Sequence, residues 1–192
     1  NEMEEFTSDV SHELKNPLAG LKSSSDLLQS NSIGEKDKAL LLKNMGSDID
    51  RMNILISDIS NYSLTGIEIS EAKIENVEII NFFREFKKSY TQNNHNLEIK
   101  NDEKEIYLKI NTNKFQQVLH NILDNASTYN NKGSKILIDL KKDKDIVRIQ
   151  IVDQGPGIPL DYKEKIFERF YTDRSKDKKY HSGLGLSISR KI

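Results

Sequence analysis

The apolar positions of the first sixty residues fall mostly three and four apart. They run Met3, Phe6, Val10, Leu14, Leu18, Leu21 and Leu28, then pause at Ser32, Ile33 and Gly34. They resume as Leu42, Met45, Ile49, Met52, Ile56 and Ile59. This spacing predicts two long helices, and the second stripe alternates steps of three and four as helix-packing seams do. Thr65-Gly66 predicts the end of the second helix. Residues 1–65 therefore read as a helical hairpin. Two helices alone leave much of such long stripes uncovered, so pairing two hairpins in a four-helix bundle is expected, which predicts a homodimer.

After Gly66 the period changes. Residues 66–74 read as a linker. Residues 75–91 predict a short strand and then a helix with Ile79, Phe82, Phe83 and Phe86 inward. Asn96–Ile99 and Ile106–Ile110 alternate as strands do. Residues 113–128 predict a helix with Phe115, Val118, Leu119, Ile122 and Leu123 on one side, capped by Thr112 or Asn113. Lys135–Leu140 and Ile146–Val152 predict strands joined by the charged turn KKDKD. The chain is thus α+β: a helical hairpin, then an α/β sandwich with a mixed or antiparallel sheet over residues 75–192.

Composition narrows the function classes. Of 192 residues, 35% are apolar and 31% charged, which suits a modest core, and the net charge of −1 gives no nucleic-acid signal. The absence of cysteine excludes a disulfide, a thiolate metal site and a cysteine nucleophile. No apolar run approaches the ~20 residues that span a bilayer. Any membrane segment is expected outside these residues, and no signal peptide is visible.

The stretch Ser11-His12-Glu13-Leu14-Lys15-Asn16-Pro17 breaks the helical logic. Pro17 removes the hydrogen bond to residue 13, at about 3 kcal/mol in a helix interior. At 100° per residue, His12 lies ~200° around from Val10, nearly opposite the apolar stripe. A solvated histidine is the plain reading. Against it, Glu13 could take a proton from one ring nitrogen and leave the other as nucleophile, and Asn16 lies one turn on. A costly local feature beside a reactive side chain points to function.

The second region offers something to attack. Asn121 and Asn125 stand i, i+4 on one helix face, and amide oxygens suit Mg²⁺. Asp153-Gln154-Gly155-Pro156-Gly157 follows a strand. Its glycines allow close backbone approach, and Asp153 could accept from an exocyclic amine such as adenine's. Ile166–Arg174 is rich in phenylalanine. Residues 173–182 are polar, basic and aperiodic, as a lid would be. Ser182-Gly183-Leu184-Gly185 opens a helix, whose free N–H groups suit an anion. Each stretch alone is ordinary; their order and spacing together are not.

In that order the stretches resemble the cytoplasmic catalytic core of a bacterial two-component sensor histidine kinase. SHELKNPL is similar to the family's phosphoacceptor box and NILDNAS to its asparagine box. DQGPGIP and SGLGLSIS are similar to its glycine boxes, and IFERFY to its phenylalanine box. FERFYTDR and SGLGLSISR look most like the alphaproteobacterial envelope- and acid-sensing subgroup. The resemblance covers nearly the whole chain.

It implies ATP and Mg²⁺, phosphorylation of His12, and transfer to an aspartate of a cognate response regulator. By the same resemblance Glu13 would assist proton removal and Asn16 would position water in a phosphatase reaction. Asn125 would hold Mg²⁺ with Asn121 nearby, Tyr129 would flank the base, and Asp153 would bind the adenine amine. Gly155 and Gly157 would shape its loop. Gly183 and Gly185 would hinge the lid on the phosphate side, with Leu184 between them. The fragment would be the cytoplasmic portion of an inner-membrane-anchored sensor.

Two departures stand out. Thr128 and Thr172 occupy positions where many members carry a base, so Arg174 or a lid lysine would face the phosphates. The family fold also continues past Ile192, which implies a C-terminally incomplete ATP-binding domain. Two rivals remain: an ATPase of the gyrase and Hsp90 kind, which leaves the His-bearing hairpin unexplained, and a dimeric nucleotide-binding scaffold without kinase activity.

Overall fold

The computed structural model describes residues 2–30, 33–68, 73–91, 96–131, 133–172 and 181–192. They form two compact units: Asn1–Gly66 with Ile166–Ser187, and Ile67–Lys165 with Ile188–Ile192.

The first unit is built on helices α1 (Glu2–Leu28) and α2 (Glu35–Glu68). They run antiparallel. Phe6 stacks on Tyr62 at 4.3 Å, Arg51 pairs with Glu13, and a Cβ at Gly20 would meet the Asp48 carboxylate. Helix α1 passes through Pro17 without interruption, and the proline is fully buried. Apolar packing of the ring helps offset the missing backbone bond. Helix α2 continues through Thr65-Gly66 to Glu68, beyond the predicted stop. Part of the segment read as a linker is therefore helical, and residues 69–72 of it lie outside the described residues.

The described buried residues of α2 are Leu55 and Tyr62, which the predicted stripe did not include; of the stripe, Met45, Met52 and Ile59 are half-buried. Leu42, Ile49 and Ile56 are exposed by 59%, 49% and 51%. One neighbouring helix can cover only one side of a heptad seam, which leaves the positions seven apart open.

The second unit begins with strand β1 (Glu75–Glu78) and helix α3 (Ile79–Thr91). Glu78 caps α3: its carboxylate accepts from Ile80 N at 3.0 Å and Asn81 N at 2.7 Å. It also accepts from Ile106 N at 3.4 Å. Burial works against its charge, but these donors outweigh that and hold its pKa below the ordinary 4.5. Strand β3 (Tyr107–Ile110) pairs antiparallel with β1. A separate sheet has the order β2 (Leu97–Asn101), β4 (Ile136–Asp143), β5 (Ile146–Val152). There β2 and β4 are parallel and β4 and β5 antiparallel, so the sheet is mixed. Strand β4 takes up most of KKDKD, and the turn shrinks to Lys144-Asp145. Lys144 has φ 53, a left-handed value suited to a tight hairpin turn.

Helix α4 (Thr112–Tyr129) lies between β3 and β4 in sequence. Its cap is Asn111, not Thr112 or Asn113: the Asn111 side chain accepts from Lys114 N at 2.9 Å. The core gathers Ile79 and Phe83 of α3, Leu119 and Leu123 of α4, and Ile138 and Leu140 of β4. Phe82, half-buried, lies at its margin against Phe83, Phe86 and Phe115. The chain ends in the short helix α5 (Gly185–Lys191).

Candidate functional site

His12 is exposed on α1, with Ser11 and Asn16 exposed beside it. This follows from the helix period: Phe6, Val10, Leu14 and Pro17 turn toward α2, and His12 and Asn16 occupy the remaining arc. Glu13 is partly buried, and its Oε2 lies 3.0 Å from Arg51 Nη2 of α2. The sequence reading gave Glu13 to the histidine ring. The structure instead shows its carboxylate bound by a cation that lies 38 residues away in sequence and carries no local signal.

Within the same unit, the phenylalanine and glycine segments are folded onto the hairpin ends. Phe6 stacks on Tyr62, Phe170 lies parallel to Phe6 at 6.4 Å, and the Arg169 guanidinium sits over both the Phe6 and Tyr62 rings. Ser182 Oγ donates to Asp58 of α2 and accepts from Leu184 N at 3.1 Å. Burial pushes the Asp58 carboxyl up, against the Ser182 hydrogen bond and the nearby His181. Gly183 has φ 77, and a Cβ there would stand 2.5 Å from the Phe170 carbonyl carbon. Glycine is needed at this crossing on both counts. Leu184 is fully buried. Gly185 begins α5. Arg174 and the lid lysines lie outside the described residues.

In the second unit, α4 carries Asn121, Asn125 and Tyr129, all half-buried. Asn121 Nδ2 donates to Ser189 Oγ of α5 at 3.2 Å. Thr128 Oγ1 donates back to Asp124 O at 2.9 Å. No cluster of three His, Asp or Glu side chains suited to a metal occurs among the described residues. Amide oxygens with no acidic cage fit a Mg²⁺ that keeps waters and shares phosphate oxygens.

The loop after β5 is held against the end of α4. Asp153 Oδ1 accepts from Gly155 N at 2.7 Å, which fixes the carboxylate over its own loop. Asn130 Oδ1 accepts from Gln154 N at 2.9 Å, and Asn131 Nδ2 donates to Gln154 O at 2.7 Å. A Cβ at Gly155 would lie 2.8 Å from the Tyr129 carbonyl oxygen, so the loop passes where only glycine fits. Gly157, at φ 73 with open space around it, is needed for its backbone conformation alone. The sequence reading did not single out Asn130, Asn131 or Arg51. The Asn-Asn pair directly after the helix was the available signal, since asparagine favours helix ends and local backbone bonding.

Comparison with known proteins gives two family matches. Residues 2–65 match the His Kinase A (phospho-acceptor) domain. Residues 110–192 match the histidine kinase-, DNA gyrase B- and HSP90-like ATPase family. Among curated proteins, the sensor protein ChvG of Agrobacterium fabrum is 33% identical over 99% of this chain and 34% of its own length. The signal transduction histidine-protein kinase ArlS of Staphylococcus haemolyticus is 32% identical over 100% of the chain and 44% of its own length. The chain thus spans a third to under half of these relatives. Among solved structures, histidine kinase ThkA in complex with response regulator protein TrrA matches with TM-score 0.62 at 25% identity. That match covers 97% of this chain and 53% of the other. ShkA in complex with AMPPNP shares the fold, with TM-score 0.63 at 20% identity over 97% of this chain and 40% of that one.

Proposed function

This chain belongs to the two-component sensor histidine kinases, and on that premise we propose that it phosphorylates its own His12 from ATP and passes the group to an aspartate of a response regulator. The observation that carries the reading is the exposed His12, set on a helix directly ahead of the buried Pro17, in a chain that also holds Asp153 fixed over its loop by Gly155 N.

In the proposed reaction one ring nitrogen of neutral His12 forms a bond to the γ-phosphorus. The bond from that phosphorus to the bridging oxygen breaks, and ADP leaves with the electron pair. The proton on the other ring nitrogen passes to Glu13, once that carboxylate is released from Arg51. Asp153 holds the adenine amine, and Tyr129 flanks the base. Asn125, with Asn121 beside it, would hold Mg²⁺, which when bound neutralises phosphate charge. Asn16, exposed one turn from His12, would orient water for hydrolysis of the phosphorylated regulator. No described helix is long and apolar enough to cross a membrane. The proposed setting is the cytoplasmic side of a longer, membrane-anchored sensor. The proposed domain division is a phosphotransfer hairpin whose second helix runs on to Glu68, a linker up to residue 74 and an ATP-binding domain from 75 onward.

The homodimer belongs to the same reading. It rests on the open Leu42, Ile49 and Ile56 face, which a second copy of the hairpin would cover.

The test is incubation with γ-labelled ATP and Mg²⁺ beside a His12→Ala control. Acid-labile, base-stable label in the parent and none in the control is the expected result. Absence of label in both, with nucleotide still bound, would favour a scaffold.

A further inference from the structure

We propose that Asn130 and Asn131 are positioning residues that set the base selectivity of the nucleotide site, an inference that rests on the ATP-binding reading above. Gln154 lies past the end of β5, where no neighbouring strand pairs with its backbone. Both of its backbone polar groups are nonetheless satisfied, and both by side chains from the end of α4. Asn130 Oδ1 accepts its N–H at 2.9 Å, and Asn131 Nδ2 donates to its carbonyl at 2.7 Å.

The bracket is rooted in the helix. Asn130 is the C-cap of α4, with its own N–H bonded to Ala126 O at 2.9 Å. Its Oδ1 also takes the Asn131 backbone N–H at 3.1 Å, which ties the Asn130 side chain to the backbone that carries Asn131. Its Nδ2 reaches toward the Ser134 and Lys135 carbonyls at 3.4 Å. On either side of Gln154, Asp153 and Gly155 are joined by the 2.7 Å bond to Asp153 Oδ1. The placement of the Asp153 carboxylate relative to Asn121, Asn125 and Tyr129 therefore runs through the peptide groups of Gln154. A carboxylate selects an exocyclic amine over a carbonyl oxygen only if its position is fixed, because a displaced acceptor loses the bond and also the repulsion.

Asn131 is exposed, and among the described residues its side chain bonds only the Gln154 loop, so its replacement should leave the fold intact. The measurement is calorimetric titration of the whole chain with ADP and with inosine diphosphate, whose base carries a carbonyl oxygen in place of the amine. Asn131→Ala and Asn131→Asp are compared with the parent. The aspartate keeps the shape but puts an acceptor against the Gln154 carbonyl. The parent is expected to favour ADP. Both variants should lose about tenfold in ADP affinity, the size of one lost polar contact, with inosine diphosphate binding unchanged or tighter.

Equal losses for both nucleotides would indicate general damage and overturn the proposal, as would an unchanged preference for ADP. A parent that binds ADP without preference would show that Asp153 does not read the amine, and the bracket would then have nothing to position. A parent that binds neither nucleotide would sink the ATP-binding reading itself, and the selectivity proposal with it.

Discussion

Arg51 Nη2 of α2 lies 3.0 Å from Glu13 Oε2 of α1, so the acid next to the candidate phosphoacceptor is held by the opposite helix. The pair is partly buried, and removing the cation leaves a carboxylate without its charged donor. Arg51→Met should therefore lower hairpin stability by about 1–2 kcal/mol. It should also remove the cation that holds the Glu13 carboxylate and raise the initial rate of phosphohistidine formation. Glu13→Gln should lower that rate by about 100-fold, at the modest end of general-base effects. Time courses with labelled ATP check both, and a slower Arg51→Met enzyme would assign the pair an organising role instead.

Two glycines with left-handed backbone make a matched comparison. Gly157→Ala meets open space and carries only the conformational cost, about 1–2 kcal/mol. Gly183→Ala carries the same cost and also drives a methyl group into the Phe170 backbone. Thermal melts should show the larger loss at Gly183. Equal losses would mean that the Phe170 crossing opens at little cost.

Glu78 gives a dependence on pH with a fixed sign. Its folded pKa lies below the ordinary 4.5, so its capping contribution is fully present above that pH and disappears as pH falls through the folded value. Glu78→Ala should cost about 1 kcal/mol at pH 7, as a lost helix cap does. Denaturant titrations of parent and variant should converge in acid. A gap of constant size down to pH 2 would locate the effect in packing.

The exposed face of α2 predicts association. Ile49→Lys puts a charge on the open stripe between Leu42 and Ile56. With Ile49 already half-buried in the single hairpin, covering the rest of it on both partners is worth about 1.5–3 kcal/mol per dimer, so the dissociation constant should rise at least ~10-fold. Sedimentation equilibrium would show it, and a monomeric parent would remove the homodimer from the proposal.

The parts legible in sequence were those with local causes. The strand β5, the inward residues of α3 and α4, and the outward placement of His12 all follow from period alone. The end of α2 was missed because Thr65-Gly66 is only a weak local stop signal, and the helix runs on to Glu68. The cap of α4 was missed by one residue, since Asn111, Thr112 and Asn113 are all capable caps and only the backbone angles decide. The Glu13–Arg51 pair and the fold of Phe170 onto Phe6 join residues far apart in the chain, and no periodicity encodes them. Likewise the α2 stripe was read as one surface, although Met45, Met52 and Ile59 are half-buried and Leu42, Ile49 and Ile56 are exposed.

The parallel pairing of β2 with β4 sets an order of assembly. Strands β4 and β5 meet across Lys144-Asp145 and can zip in microseconds as a local hairpin. Strand β2 finds β4 only after the intervening β3 and all of α4 have been gathered in, a far longer loop to close. The sheet is then nucleated at its β4–β5 side and completed at β2. Amide protons of β5 facing β4 should gain protection early in refolding, and those of Leu97–Asn101 late.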